Sequence, residues 1–218
     1  MCIRDSYKYD FTNEKEISIL WDASYLGNYT RENYSPKALF SSTIGDELKI
    51  ASKGRSDVYA IAPNVEAAIL SAGHAANGAF WIDNLNGKWA TTTYYKSVPW
   101  YVERYNSGNE SLSARLDKMV WTPSLPLEKL NAFPYTLDEI PFKYTFNERD
   151  VACYPRLKTT PFVNKEVNRL AMQFLEYAGF GTRTSPDMLS VTYYAGNFVG
   201  NMNKEYTHEI QDTYCQLD

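Results

Sequence analysis

The chain has 218 residues, 44% of them hydrophobic and 22% charged, with a net charge of −4 at pH 7. This composition is typical of a folded domain with a sizeable core. A mildly acidic chain without a lysine and arginine cluster argues against a nucleic acid polymer as partner, because phosphate neutralisation needs concentrated basic charge. No apolar run approaches about 18 residues, so the sequence predicts no transmembrane segment.

The two ends of the chain differ from the rest. Residues 1–6, Met-Cys-Ile-Arg-Asp-Ser, fit no cap, strand or signal pattern and resemble a translated sequencing-adapter remnant, so we exclude them from the fold prediction. The last residue, Asp218, falls inside a predicted helix. We therefore expect residues 7–218 to be part of one domain of a longer protein.

The cysteines show neither a disulfide framework nor metal-ligand spacing. Cys2 belongs to the excluded remnant. We expect Cys153 and Cys215 to be ordinary buried thiols, because free cysteine usually behaves as a small hydrophobic residue. A disulfide between them stays open.

The first half of the chain alternates predicted strands and helices. Ser35 followed by Pro36 is a helix start, and Gly54 is the matching stop. Residues 78–94 change to a period of two around Asn86-Gly87, which predicts a hairpin. The predicted elements are a strand at 16–21, a helix from 35 to 51, an interior strand at 57–62, a helix at 65–70, the hairpin at 78–94 and a helix at 99–105.

The second half begins with an irregular stretch. Residues 121–160 hold five of the ten prolines and predict a long connection, of a length that is often functional. Thr160-Pro161 predicts the start of an amphipathic helix with a stop at Gly179. A buried strand at 188–194, a loop and a helix from 209 onward follow.

Helix, loop, apolar strand, loop and helix form the pattern of a doubly wound α/β sheet. Ligands of such sheets gather where strands end and helices begin. We therefore predict a functional site after the strand at 188–194.

Several motifs occur together and in order. They are 71–83 (Ser-Ala-Gly-His-Ala-Ala-Asn-Gly-Ala-Phe-Trp-Ile-Asp), 92–95 (Thr-Thr-Tyr-Tyr), 160–164 (Thr-Pro-Phe-Val-Asn) and 212–218 (Asp-Thr-Tyr-Cys-Gln-Leu-Asp), preceded by 34–36 and 45–48. This set resembles the bacterial alkaline phosphatase and type I phosphodiesterase-nucleotide pyrophosphatase family of the alkaline phosphatase superfamily. The resemblance covers residues 34–218 and corresponds to the middle of a chain about twice this length.

The resemblance implies an incomplete alkaline-phosphatase-like doubly wound sheet with helices on both faces and a hairpin-containing insertion. It further implies hydrolysis of phosphate mono- or diesters at a two-zinc site and export to the bacterial periplasm. A Thr or Ser nucleophile, expected upstream of this segment, attacks phosphorus, while the metals activate it and clamp the attacking and leaving oxygens.

Two zinc-ligand positions of the family, an Asp and a His four residues later, correspond here to Asn197 and Asn201. A neutral amide is a poor ligand for Zn²⁺ compared with a carboxylate or an imidazole. We expect one zinc position to be under-coordinated. The alternative is that both are loop residues, because Asn tolerates turn conformations.

Two phosphate-binding positions of the family also differ. Phosphomonoesterases of the family carry a Lys and an Arg there, and this chain has Asn64 and Glu66. A carboxylate repels a phosphate that an arginine would attract.

Three further residues are site candidates. His74 stands in a Gly-flanked turn without a partner at metal spacing, which favours a hydrogen-bonded structural role over a ligand role. His208 and Asp212, with Glu209 between them, could replace lost zinc ligands. Acids in the first turn of a helix explain the same residues equally well.

The 18 tyrosines are unusual beside two histidines. They fit core and rim packing, and a sugar or base stacking surface is the alternative.

Three functions stay open for the chain. The first is an active metal-dependent phosphoester hydrolase. The second is a degenerate relative that binds a phosphorylated or carbohydrate ligand or serves as a partner subunit. The third is mainly a scaffold. The residues at 197 and 201 discriminate between the first two.

Overall fold

The computed structural model describes residues 7–11, 14–126, 129, 142–147, 150–195 and 207–217. The strands are β1 (Tyr7–Asp10), β2 (Lys15–Ser18), β3 (Gly27–Asn28), β4 (Val58–Ala62), β5 (Gly78–Ile82), β6 (Trp89–Thr92), β7 (Val120–Trp121), β8 (Tyr144–Thr145) and β9 (Met188–Val191). The α-helices are α1 (Ile44–Ala51), α2 (Val65–Ala72), α3 (Trp100–Ser107), α4 (Leu112–Arg115), α5 (Cys153–Leu157), α6 (Phe162–Tyr177) and α7 (Thr207–Leu217). Short 3₁₀ helices lie at Pro36–Ala38, Thr93–Tyr95 and Leu116–Lys118.

A five-stranded mixed sheet organises the fold, with the order β3-β6-β5-β4-β9. β4 pairs in parallel with both β5 and β9, and Ile61 lies opposite Phe80 on one side and Val191 on the other. β5 and β6 form the predicted antiparallel hairpin, to which β3 adds. The α/β class is therefore confirmed, with a mixed rather than wholly parallel sheet.

The two faces of the sheet carry separate hydrophobic cores, because successive strand residues point to opposite faces. Ile61 and Phe80 pack with Phe174 of α6 in one core. Ala60 and Ala79 pack with α2 in the other. Small residues on this second face let the short helix α2 approach the strands closely.

The hairpin turn is held by its own side chains. Asp83 Oδ1 accepts hydrogen bonds from the backbone N–H groups of Leu85 and Asn86, at 2.9 and 3.0 Å. Gly87 has a φ of +66°, a conformation that favours glycine. The Asn86-Gly87 signal therefore predicted the turn correctly.

The predicted helix from 35 to 51 is two elements, which corrects the prediction. Ser35 caps only the 3₁₀ turn, and Thr43 starts α1 through a capping box with Asp46. Because the chain is extended at Leu39, the apolar residues before and after it do not share one face. Phe40 is 97% exposed and Ile44 is also exposed.

Helix α6 ends as predicted but starts differently. The hydroxyl of Thr160 donates to the carbonyl of Leu157 at 2.7 Å and does not cap the helix. Gly179 follows the helix with a φ of +70°. Most of the predicted apolar stripe is buried, whereas Leu175 is exposed.

Two burial predictions were wrong. Strand β9 is only partly buried rather than buried, because it is the edge strand of the sheet among the described residues. Cys215 is exposed, whereas Cys153 is buried as predicted, and among the described residues neither cysteine forms a disulfide.

Residues 1–6 lie outside the described residues. Within 121–160, β8 pairs antiparallel with β7, and α5 follows. Among the described residues, no helix is both long and apolar enough to cross a membrane.

Two glycines with positive φ provide a test of the hairpin packing. A Cβ on Gly87 would stand 2.1 Å from Cε1 of the buried Tyr154, whereas a Cβ on Gly54 would meet nothing within 4 Å. We expect Gly54→Ala to lower the free energy of unfolding by about 1 kcal/mol, the cost of the backbone conformation. Gly87→Ala should lower it by about 3 kcal/mol or more, because overpacking adds to that cost.

Urea denaturation of both variants and the parent chain measures this difference. Equal losses for the two variants would contradict the described contact between Gly87 and Tyr154.

Candidate functional site

The parallel strands β4, β5 and β9 end at one edge of the sheet, which we call the carboxyl edge. Asn64 follows β4 and begins α2, Asp83 follows β5, and Tyr194 follows β9. Parallel strands bring their carboxyl ends together, and this is where ligands of open α/β sheets bind. The described end of β9 therefore lies beside the residues that follow β4 and β5.

Asn64 and Glu66 stand at this edge together with Tyr194. Asn64 is the N-cap residue of α2, but its side chain does not cap the helix. Burial raises the pKa of Tyr194, and the negative charge of Glu66 raises it further, while a hydrogen bond from the Asn64 side chain acts in the opposite direction. Asn64 and Glu66, two site candidates from the sequence, thus lie close to the end of β9, the strand after which we predicted the site.

Asn164 fixes the end of β9. Its Nδ2 donates to the carbonyl of Tyr194 at 2.7 Å, and its Oδ1 accepts the backbone N–H of Tyr194 at 2.9 Å. Asn164 lies in the first turn of α6 and is buried. The sequence analysis placed this residue inside a family motif but gave it no role.

Lys158 is a buried cation at the same edge, and the sequence analysis missed it. Lys158 is only 7% exposed. Its Nζ donates to the carbonyl of Ile82 at 2.6 Å and to Oδ1 of Asn84 at 2.7 Å. Burial lowers the pKa of Lys158 to about 8, although the charges of Asp83, Glu66 and Glu32 oppose that shift. No local pattern in the sequence distinguishes this lysine from an exposed one.

His74 lies at the opposite edge, after the C-terminus of α2. Its Nδ1 is 3.2 Å from Oδ2 of the buried Asp46, and its carbonyl accepts a hydrogen bond from the Tyr94 hydroxyl at 3.0 Å. Burial raises the pKa of Asp46, but the hydrogen bonds from Thr43, Ala75 and His74 together outweigh burial and hold that pKa below its ordinary value. The structure therefore does not bring His74 together with Asn64 and Glu66.

Comparisons with known proteins show similarity over most of the chain. The chain is 29% identical over 199 residues to alkaline phosphatase PafA of Elizabethkingia meningoseptica, covering 85% of this chain and 36% of PafA. It is 29% identical over 198 residues to alkaline phosphatase PhoV of Synechococcus elongatus, covering 84% of this chain and 35% of PhoV. It is also 32% identical over 200 residues to a calcium-transporting ATPase of Myroides odoratus, covering 84% and 36%. No family model matches the chain.

Solved structures give the same relationship. The crystal structure of wild-type PafA superposes with a TM-score of 0.77 at 29% identity, covering 98% of this chain and 44% of that one. A PafA variant with four substitutions gives 0.80 at 29% identity, covering 99% and 44%. The chain belongs to the alkaline phosphatase superfamily. It spans about 36% of the length of the curated relatives.

The described residues do not reproduce the zinc site that the superfamily resemblance implies. Asn197 and Asn201, at two family ligand positions, lie outside the described residues. Within the described part of the chain, no group of three His, Cys, Asp or Glu side chains could hold a metal ion.

Asp212 of α7 is engaged in hydrogen bonds rather than offered to a metal. Its carboxylate is completely buried and accepts from Trp121 Nε1 at 2.6 Å, from the backbone N–H and the hydroxyl of Ser124, and from Gln216 Nε2 at 2.6 Å. Four donors leave little room for a fifth partner. The neighbouring Glu209 accepts a hydrogen bond from Tyr144 at 2.8 Å, and His208 is partly buried.

Asp212→Asn tests the structural role of this carboxylate. The change replaces one acceptor oxygen by an NH₂ group that faces existing donors, so we expect a loss of about 3 kcal/mol in the free energy of unfolding without added metal. Glu110→Gln, the same carboxylate-to-amide change at an exposed position, is the matched control and should change stability by less than about 0.5 kcal/mol. Unchanged stability of Asp212→Asn in the presence of a chelator would refute this role.

The pKa of Lys158 predicts a pH-dependent stability difference. The pKa is about 8 in the folded chain and about 10.4 when unfolded, so between these values the unfolded state binds more protons. Relative to Lys158→Met, the parent chain should gain stability as pH rises from 8 to 10, by up to about 1.4 kcal/mol per pH unit. Chemical denaturation of both proteins at each pH measures the difference.

Lys118→Met, the same change at an exposed lysine, is the control for the substitution itself. A difference between parent and Lys158→Met that falls as pH rises would mean that the pKa of Lys158 is not lowered.

Proposed function

We propose that this chain belongs to a protein whose ancestral reaction is hydrolysis of phosphate mono- or diesters at a two-zinc site, and that monoester hydrolysis is impaired here. Two of the curated relatives are named alkaline phosphatases, which supports the reaction class. The main support for impaired monoester hydrolysis is the position of Glu66. A carboxylate stands in the first turn of α2, at the carboxyl edge, where the family places a phosphate-binding cation.

The electrostatics of this edge disfavour a phosphate dianion. The N-terminus of α2 carries a partial positive charge of about half a proton charge, which would attract phosphate. Glu66 already supplies a full negative charge there. Lys158, the nearby cation, already uses two of its N–H donors in hydrogen bonds to the Ile82 carbonyl and the Asn84 side chain. A diester, with one negative charge, suffers about half the repulsion that a monoester dianion does.

The proposed zinc positions add to the impairment. Amide groups at Asn197 and Asn201 bind Zn²⁺ poorly in place of the carboxylate and imidazole of the family. The engaged oxygens of Asp212 argue against this residue as a substitute ligand.

A degenerate binding protein is the second candidate, favoured by the same substitutions. In that case the carboxyl edge binds a phosphate ester or carbohydrate, or a partner subunit, without turnover. By family resemblance we further propose export to the bacterial periplasm for either function.

Metal content and turnover test the proposal. We expect the full-length protein to bind well under two zinc ions per chain and to hydrolyse p-nitrophenyl phosphate negligibly, because both the ligand positions and the phosphate-binding positions are altered. Elemental analysis and absorbance assays give the two quantities. Two tightly bound zinc ions together with robust turnover would contradict the proposal.

Restoring variants separate the two causes. Asn197→Asp with Asn201→His should raise zinc occupancy. Asn64→Lys with Glu66→Arg should strengthen binding of inorganic phosphate at least tenfold in calorimetry. Glu176→Arg with Asn109→Lys, an equal charge change at two exposed positions, is the control and should leave phosphate binding unchanged. Retained binding of a phosphate ester without turnover, even after zinc occupancy is restored, would favour the binding protein.

A further inference from the structure

A cavity opens at the edge of the sheet opposite to Asn64 and Glu66, which we call the amino edge. Its volume is about 690 Å³, within the range of small-molecule sites. Asp57 and Tyr59 at the start of β4 line it, as does Asn77, which precedes β5. The cavity is therefore separated from the carboxyl edge by the length of the sheet strands.

One wall of this cavity is basic, with Lys49, Lys96 and Arg183. Arg183 is paired, with Nη2 2.6 Å from Asp57 Oδ2 and Nη1 3.2 Å from Asp187 Oδ1. Among the described residues, neither lysine has a carboxylate within 4.0 Å. The two lysines are thus left to interact with something else.

The lysines are also held close enough to affect each other. Burial lowers the pKa of Lys49, the charges of Lys96 and Arg183 lower it further, and Asp57 and Asp187 act in the opposite direction. Lys96 has φ 66° and ψ −113°, a strained conformation for a residue other than glycine. The fold therefore keeps two like charges at one cavity wall although they repel each other.

Another part of the cavity lining is aromatic. Trp100 is 55% exposed, and its ring centroid lies 5.0 Å from that of Tyr177, another lining residue. The guanidinium of Arg104, which does not line this cavity, lies 5.0 Å from both ring centroids and holds the pair in place. A large exposed indole fixed by a cation is a surface on which a planar ring can stack.

Two tyrosines of the cavity lining are held by hydrogen bonds of their hydroxyl groups. The hydroxyl of Tyr95 donates to the carbonyl of Gly73, and that of Tyr94 donates to the carbonyl of His74, each at 3.0 Å. These bonds fix the positions of two tyrosines that line the cavity. Part of the tyrosine excess is thereby explained by a preformed cavity wall.

We propose that this cavity binds a small molecule that combines an aromatic ring with a phosphate group, such as an aryl phosphate or a nucleoside monophosphate. The ring stacks on Trp100, and the phosphate contacts Lys49 and Lys96. This site is independent of the phosphate ester site proposed at the carboxyl edge.

Calorimetry on the 218-residue chain with AMP, phenyl phosphate, adenosine and inorganic phosphate tests the proposal. AMP or phenyl phosphate should bind at least tenfold more tightly than adenosine or inorganic phosphate, because only the phosphate esters engage both the two lysines and Trp100. The phosphate ester that binds more tightly, AMP or phenyl phosphate, identifies the class of ligand. The site is supported whichever of the two binds more tightly. Adenosine binding as tightly as AMP and phenyl phosphate, or no binding by either phosphate ester, would overturn it.

Variants locate the binding. Lys49→Ala with Lys96→Ala should weaken the binding of the tighter ester at least tenfold, whereas Lys53→Ala with Lys118→Ala, an equal loss of charge at exposed lysines, should not. Trp100→Leu should weaken binding, and Trp100→Phe should restore most of it. Circular dichroism confirms folding of each variant.

The two proposed sites give different results. The cavity proposal is refuted if the affinity for the ester is unchanged by Lys49→Ala with Lys96→Ala but changes with Asn64→Lys and Glu66→Arg. That result would place the ligand at the carboxyl edge. The reverse response would support the cavity whatever the zinc content or turnover of the protein.

Discussion

A polar network at the amino end of β4 sets the register of the three parallel strands. The backbone N–H of Asp57 donates to Asp187 Oδ1 at 2.7 Å, which ties β4 to the residue before β9. Asn77, before β5, donates to Asp57 Oδ1 at 2.8 Å and accepts the backbone N–H of Val58 at 3.0 Å. A shift of one residue in either neighbour would turn its side chains to the wrong face. Both edges of the sheet depend on this register.

Buried acids in this chain serve architecture. Glu166 of α6 is completely buried and accepts from Arg115 Nη2 at 2.5 Å and from the Tyr105 hydroxyl at 2.7 Å, so it joins α3, α4 and α6. Asp212 joins α7 to the segment after β7 in the same way. A buried carboxylate is stable only when its oxygens are satisfied, and these two are satisfied by protein donors. An acid within a family motif is therefore not evidence of a metal ligand by itself.

Local signals predicted the elements, and contacts distant in sequence decided the site. The hairpin, β4 and the end of α6 follow from turn residues and short apolar runs, which act over a few positions. Lys158 meets Ile82 across 76 residues, and Asn164 meets Tyr194 across 30. Neither contact has a signature in the intervening sequence.

The exposed apolar residues before and within α1 show a different limit of the sequence pattern. The extended residue Leu39 interrupts the helical period, so the spacing between Phe40 and Ile44 no longer places them on one buried face. The placement of His74 away from Glu66 was, in contrast, open to prediction. An eight-residue helix is about 12 Å long, so residues at its two ends belong to opposite edges of the sheet. Across α2, the N-terminus favours an anion at the carboxyl edge, yet the side chain there is Glu66, while Lys49 and Lys96 stand at the amino edge. The backbone and the side chains of this domain thus favour anions at opposite ends of the same sheet, and side chains carrying full charges outweigh a helix terminus that carries about half of one.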